Sequence, residues 1–378
     1  MSIQMWQTSV QVLPSPSING KVIHQKLLTP HPIVKYTTST SVAGRTGPKH
    51  DDEPERNATY KVSGQDVYGH THNSIFVADG HGTHGQKAAL QAIEMHKVLN
   101  VSPEMLLATD FKCIEETLRE QLVSKMLEAD FPYSGSTFVF MSIIEGLRNR
   151  WALTVNIGDS EAFILSKDRI HMCSLAHTWD DLEIYNRYVS LVERPRNVCY
   201  NRWNASKHRV LDPDGTHRPV MLYDIDHNRR KASINQQNAE WVSGLWQKFS
   251  KPSIRYGTQS VRLFSGQHQN WGSTVLINGR ARGQNMTSFG DCKERSLTKV
   301  PIDLIHIYIH EIEPGETVVG LVQSDGVGNH RTIEECHRHA YSKKNAHEYL
   351  KGIPKPSDDM SAAMIVSEPI TKRCKHVQ

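Results

Sequence analysis

At four places in this 378-residue chain aspartate stands at or next to the end of a short apolar run, and at three of these it is beside glycine or a second acid. Asp79 closes "SIFVAD" and is followed by Gly80; Asp325 follows "GLVQS" and precedes Gly326; Asp358 and Asp359 come just before "MSAAMIV"; Asp66 opens "DVYG". A carboxylate at a strand end with glycine after it lets the side chain and a backbone carbonyl face one point. Oxygen donors of this kind suit hard cations such as Mg²⁺ and Mn²⁺. One such aspartate is ordinarily a turn residue. Four in one chain point to carboxylates converging on metal.

Two other chemistries compete for the same stretch. Gly80, Gly82 and Gly85 spell G-x-G-x-x-G, the pattern of a dinucleotide loop. Such a loop turns backbone amides toward a pyrophosphate, and Asp79 would set a carboxylate against that charge. The acidic residue expected about 20 positions later at a second strand's end is missing as well, since Lys97-Val98-Leu99 stands there. The nucleotide reading is therefore rejected. His70, His72, His81 and His84 could serve zinc in a metal-dependent amidohydrolase. That reading leaves Asp325 and Asp358 without a role.

The elements that must position these residues follow from periodicity. "SIFVAD" reads as a buried strand, and Ala89, Ala92, Ile93, His96 and Leu99 share a helical face after it. Ser102-Pro103 starts a helix, with serine as N-cap and proline in the first turn. Leu107, Phe111, Ile114, Leu118, Leu122 and Met126 then keep a helical spacing for about six turns. "STFVFMSII" and "WALTVNIGDSEAFIL" are strand-like around an "EGLRNR" turn, "DLIHIYIHEI" alternates, and a helical stretch from Ile333 to Tyr349 separates two last apolar strands. Strands mostly follow strands while helices come in a block, which predicts an α+β protein built on antiparallel sheet. The first 55 residues, rich in Ser, Thr, Pro and His, are expected to form short strands and loops leading into a domain at 56–378.

Composition is that of a globular chain, with 38% hydrophobic and 22% charged residues and a mean hydropathy of -0.50. No apolar run approaches the ~18–20 residues that span a bilayer, and "MSIQMWQTSV" lacks the features of a secretory signal. Six scattered cysteines without a C-x-x-C pair suggest free thiols in a reducing compartment, cytoplasm or nucleus. The net charge of +4 hides an asymmetry: residues 186–285 carry 16 Lys/Arg against 6 Asp/Glu, the remainder 28 against 34. That segment also holds Trp203, Trp241, Trp246 and Trp271. Basic residues among aromatics suit single-stranded nucleic acid; the preferred reading is a flap that recognises phosphoprotein. "HNRRKASIN" is basic enough to attract a kinase at Ser233.

Taken in order, the motifs resemble the metal-dependent serine/threonine protein phosphatases of the 2C type. "FVADGHGTHG", "GSTFVFMSI" with "LTVNIGDSEAFIL", "LAHTWDDLE", "NMTSFGDCKE", "GLVQSDGVGN" and "SDDMSAAMIV" follow the family's succession between about Tyr60 and Val366. The resemblance implies a sandwich of two antiparallel β-sheets flanked by paired α-helices, with a dimetal centre at one end. It implies two Mn²⁺ or Mg²⁺ ions, with Asp79 bridging them, Gly80 offering its carbonyl, Asp325 and Asp358 completing one shell and Asp66 supporting the other. Two such cations about 3.5–4 Å apart activate a water and orient a phosphomonoester for in-line attack. His81 takes the place of the acid that protonates the leaving serine or threonine oxygen. The implied substrate is a phosphoprotein, and the expected form is a monomer.

This chain departs from the family at particular positions. Gln65 stands where the family has a glutamate before Asp66. Lys61 replaces the phosphate-binding arginine, supplying charge without a bidentate fork. Glu161 replaces the arginine of the Gly-Asp-Ser hairpin, and Asp359 the asparagine of the closing motif. The basic insertion at 186–285 is longer than the family's own segment. Asp159 is read as a structural hairpin residue, and Ser160 is no nucleophile, lacking a G-x-S-x-G elbow. These departures keep a second function open, a phosphatase-like protein that binds phosphoproteins with little or no turnover.

Overall fold

The computed structural model describes residues 33–47, 59–174, 177, 179, 182–196, 223–235, 287–293, 301–328, 330–331, 333–353 and 358–370, with the backbone of seven short strands of the insertion. The first 32 residues, Trp203, Trp241, Trp246 and the Trp271 side chain lie outside the described residues.

One sheet has six strands in the order β2 (Tyr60–Ser63), β3 (Asp66–His70), β4 (Ser74–Ala78), β7 (Phe138–Glu145), β8 (Arg150–Ile157) and β21 (His306–Ile312). The other has five, in the order β1 (Tyr36–Arg45), β23 (Met360–Pro369), β22 (Val318–Gln323), β9 (Glu161–Leu165) and β10 (Ile170–Cys173). Every pairing is antiparallel, and β1 runs against β23 from Tyr36 opposite Pro369 to Arg45 opposite Met360. A third small sheet joins β5 (Gly80–His81), β6 (Gly135–Ser136) and β20 (Phe289–Gly290).

Strand alternation divides the core into layers. In β4, Ile75 and Val77 meet Val139, Ile164, Val322 and Ile365 between the two sheets. Phe76 and Ala78 point outward, into a second cluster with Ile114, Leu118, Leu122 and Met126. A third cluster packs Phe163, Leu321 and Met364 against Ile333, Ala340 and Leu350. The middle strands are thus covered on both faces, which is why they read as unbroken apolar runs. The expected α+β sandwich with helices outside is what the chain forms. Among the described residues no helix is long and apolar enough to cross a membrane.

Helix boundaries differ from the periodic reading in three places. After α1 (Gly85–Ala92) the chain tightens into a 3₁₀ turn over Ile93–Val98. The six-turn helix is broken into α2 (Pro103–Ala108) and α3 (Phe111–Leu127), because Thr109 is extended and Asp110 caps anew by accepting the Lys112 amide. Leu107 consequently lies exposed. The stretch from Ile333 is likewise interrupted by Lys344, at φ 51°, and the Asn345 cap. In the insertion, α4 (Leu182–Leu191) carries a hairpin of Tyr223–Asp226 with Lys231–Ile234, held by Tyr185 stacked on Tyr223 at 4.6 Å.

Candidate metal centre

Strand ends from both sheets meet at one end of the sandwich. The Ser324 amide donates to the Ser361 carbonyl (3.0 Å) and the Ser361 amide to Ser324 Oγ (3.0 Å), which locks the ends of β22 and β23 together. Ser361 Oγ then donates to Asp66 Oδ2 at 2.7 Å, joining the two sheets. Asp79 is fixed by its backbone, its amide donating to Thr137 Oγ1 (2.9 Å) and its carbonyl accepting from the Thr137 amide (2.9 Å). Ser160 Oγ shares that hydroxyl at 2.6 Å and is fully buried.

The electrostatics show what is crowded here. Burial, together with the charges of Asp359 and Asp325, pushes the Asp66 carboxyl up to about 8 despite hydrogen bonds from Ser361 and Ser324. Asp79 is raised well above the carboxylate range, first by burial, then by Asp66 and Asp325, a hydrogen bond with Asp325, and Asp159. The fold thus brings Asp66, Asp79 and Asp325 together. It adds Asp159, which sequence reasoning had set aside as a turn residue. Among the described residues no group of three or more His, Cys, Asp or Glu side chains is arranged to hold a metal ion. The fit to a hard cation rests on the donor chemistry and on Asp66 Oδ1, which is buried without a hydrogen-bond partner.

Asp358 and Asp359 have separate surroundings. Asp358 Oδ1 accepts from the Asp359 amide at 3.1 Å. Asp359 is buried, and its two oxygens accept the backbone amides of Gly47 (2.9 Å) and Gln65 (2.8 Å). The second acid of the pair is therefore a brace for the chain after β1 and the turn before Asp66. That brace fixes Gly326, because a Cβ there would stand 1.9 Å from the Asp359 carbonyl oxygen. Gly326→Ala is expected to cost about 1–3 kcal/mol in a denaturant melt.

The side chain of Gln65 is engaged too. Its Nε2 donates to the Gly82 carbonyl at 2.9 Å, tying the β2–β3 turn to the glycine loop. Gly80 lets that loop close, since a Cβ there would lie 2.3 Å from the Gly85 carbonyl oxygen. A glutamate at 65 has no proton to donate, so Gln65→Glu is expected to lower the melting stability of metal-free protein by about 1 kcal/mol or more. A melt unchanged in chelator would show that the latch contributes nothing.

His81 Nε2 lies 2.6 Å from Asp291 Oδ2, with the imidazole 37% and the carboxylate 10% exposed. Asp291 arrives through the small sheet: its amide donates to the Ser134 carbonyl (2.8 Å), and its Oδ2 also accepts Ser288 Oγ (2.6 Å). The carboxylate fixes the orientation of the ring. Lys61 is exposed on β2, and Glu161 is buried, accepting from Gln323 Nε2 at 2.9 Å to join β9 to β22. The roots of the insertion close beside Asp159. The His177 amide donates to the Gly158 carbonyl (2.9 Å), the Gly158 amide to Thr287 Oγ1 (2.9 Å), and His177 Nδ1 is 2.5 Å from that hydroxyl.

Fold and site together define a β-sandwich, with helices on its outer faces and an acidic, oxygen-rich cluster at one end. Among solved structures it is similar to the PPM Ser-Thr phosphatase MsPP of Mycobacterium smegmatis, solved in complex with cacodylate, at 15% identity over 86% of this chain and 97% of that one, with a TM-score of 0.40. The serine/threonine phosphatase PstP/Ppp of Mycobacterium tuberculosis matches at 14% identity, over 88% of this chain and 98% of its own, with a TM-score of 0.41. Serine-threonine phosphatase 2C of Toxoplasma gondii matches at 13% identity, over 89% and 96%, with a TM-score of 0.42. No protein-family model matches the chain, and no curated protein matches it.

Proposed function

We propose that this chain is a metal-dependent phosphatase of the 2C type that hydrolyses phosphoserine and phosphothreonine in proteins. The observation that carries the reading is the gathering of Asp66, Asp79 and Asp325, from three strand ends, at a cost in electrostatic energy that a bound divalent cation would offset. Asp66, Asp79, Asp325, Asp358 and the Gly80 carbonyl are the residues that would hold two Mn²⁺ or Mg²⁺ ions. When bound, the ions supply an activated water and neutralise phosphate charge. Lys61 binds a phosphate oxygen as a point charge. His81 gives a proton to the departing serine or threonine oxygen, and Asp291 keeps the ring turned toward that task. The domain at 56–378, acting as a monomer in cytoplasm or nucleus, presents the basic insertion at 186–285 to the phosphoprotein, with nucleic acid as the lesser partner.

A second reading, recognition of phosphoprotein without turnover, is favoured by one feature. Gln65 is committed to Gly82 and contributes a neutral amide where a charged oxygen ligand would strengthen the second site. Phosphate release from a phosphothreonine peptide, followed while Mn²⁺ is titrated, separates the two. Release that saturates with Mn²⁺ and stops on chelation is the expected result. Binding of the peptide by folded, Mn²⁺-saturated protein with no release would establish the second reading.

A further inference from the structure

Glu161 and Gln323 stand opposite each other in register, where β9 begins and β22 ends. Both are buried. Strand alternation puts them on the face of Phe163 and Leu321, which the helices Ile333–Lys343 and Ala346–Lys351 cover. The Gln323 amide is used at both ends. Its Nε2 donates to Glu161 Oε2 at 2.9 Å, and its Oε1 accepts the Tyr349 hydroxyl at 2.7 Å. Tyr349 is fixed in turn, because Arg331 Nη2 donates to its carbonyl at 2.8 Å and the guanidinium lies 4.2 Å from the ring centre. The buried Cys336 sulfur lies beside the chain, 3.3 Å from the Tyr349 hydroxyl and 3.6 Å from Gln323 Nε2.

Buried amides, hydroxyls and carboxylates are costly unless their lone pairs and protons are met, and a satisfied network rigidifies the elements that it joins. This one is satisfied in a single direction. The tyrosine O–H donates to the amide oxygen, the amide N–H donates to the carboxylate, and the carboxylate ends the chain as an acceptor. An arginine at 161 would set donors against Gln323 Nε2 and leave the chain without its end. The chain also stops beside the acidic cluster. Gln323 lies two residues before Asp325 and Glu161 two after Asp159, and the charges of both aspartates reach Asp79. Between Gln323 and Asp325, Ser324 holds Ser361, which donates to Asp66. We propose that Glu161, Gln323 and Tyr349 are positioning residues, which carry the seating of the helix Ala346–Lys351 to the ends of β9 and β22. There they set Asp325 against Asp79 and so govern how tightly the cluster binds a divalent cation. The assignment rests on the phosphatase reading for its cation, and it gives a role to the glutamate at 161.

The test titrates the full chain with Mn²⁺ alone, by calorimetry and without substrate. Tyr349→Phe removes the hydroxyl, keeps the ring, and is expected to weaken Mn²⁺ binding about fivefold. Glu161→Met fills the space without accepting a hydrogen bond, and is expected to weaken binding about tenfold. Glu161→Gln restores an acceptor for Gln323 Nε2 and is expected to stay within about twofold of wild type. Ile333→Val, in the same helix-on-sheet cluster, lowers the thermal melt without touching the chain, and its Mn²⁺ affinity is expected to match wild type. Affinity unchanged in Tyr349→Phe, or lowered as far in Ile333→Val, would reduce the three residues to packing and overturn the proposal. Glu161→Gln as weak as Glu161→Met would make charge the cause and overturn it equally. If Glu161→Met does not fold, Tyr349→Phe against Ile333→Val decides. Wild type that binds no Mn²⁺ overturns both this assignment and the phosphatase reading. Wild type that binds Mn²⁺ with these differences, yet releases no phosphate from a phosphothreonine peptide, overturns that reading alone.

Discussion

Asp79→Asn is expected to lower Mn²⁺-dependent phosphate release by at least about 10³-fold while the protein still folds. The substitution keeps the shape of the side chain and the backbone bonds to Thr137, which hold this strand end in place. It removes one anionic oxygen from the group formed with Asp66 and Asp325. An amide is a poor ligand for a hard cation, so the loss should appear as a large rise in the Mn²⁺ midpoint and a fall in kcat. Asp325→Asn should act similarly. Asp168→Asn, on the exposed β9–β10 turn, should not. The same change relieves repulsion in metal-free protein, so at pH 8 in chelator the inactive variant should melt higher than wild type. Activity retained within threefold, or a variant less stable than wild type under those conditions, would remove the carboxylate cluster from the mechanism.

In chelator, wild-type stability is expected to fall as pH rises from about 5 to about 8. Asp66 holds its proton up to about 8 in the folded chain, and Asp79 is also raised. In the unfolded chain both titrate near the ordinary carboxylate value of about 4. Between those limits the folded state binds more protons than the unfolded state, so the slope of unfolding free energy with pH is negative. The contribution is complete below about pH 4 and lost as pH passes the folded value, at on the order of 1.4 kcal/mol per pH unit for each group. Mn²⁺ binds the charged form, so the rise in melting temperature it produces should be larger at pH 8 than at pH 5.5. Melting curves in chelator that do not change across this range would contradict the environment assigned to Asp66.

These carboxylates were legible in the sequence because their signal is local. For Asp79 and Asp325, an apolar run that closes on aspartate and glycine is contained in ten residues and reports both the strand and its end. The sandwich was legible for the same reason, as runs such as "STFVFMSII" are buried on both faces. The pairing of Asp291 with His81 is not legible in the sequence, since the two lie 210 residues apart and nothing near either residue encodes the pair. The influence of Asp159 on Asp79 is not visible in the sequence, because a Gly-Asp-Ser turn looks the same whether or not its carboxylate faces other acids. Gln65 and Asp359 were read as substitutions in a metal shell. In the fold they are hydrogen-bonding braces, an assignment that depends on Gly82, Gly47 and the order of the sheets. The break between α2 and α3 was missed because helical spacing of apolar residues continues through it, while the Asp110 cap is a single residue.

The pairing of β1 with β23 also sets the order in which the protein can be made. Tyr36–Arg45 is synthesised more than 300 residues before the strand it lies against, Met360–Pro369. At roughly 5–20 residues per second, β1 waits on the order of tens of seconds with a polar-and-apolar edge and no partner. Asp66 and Asp79 wait with it, since Ser361 and Asp359, which brace that end of the sandwich, come from the same late segment. The braces of the acidic cluster therefore arrive with the strand that pairs last. A nascent chain stalled before Asp359 has β3 and β4 to pair but neither Ser361 nor Asp359 to brace them.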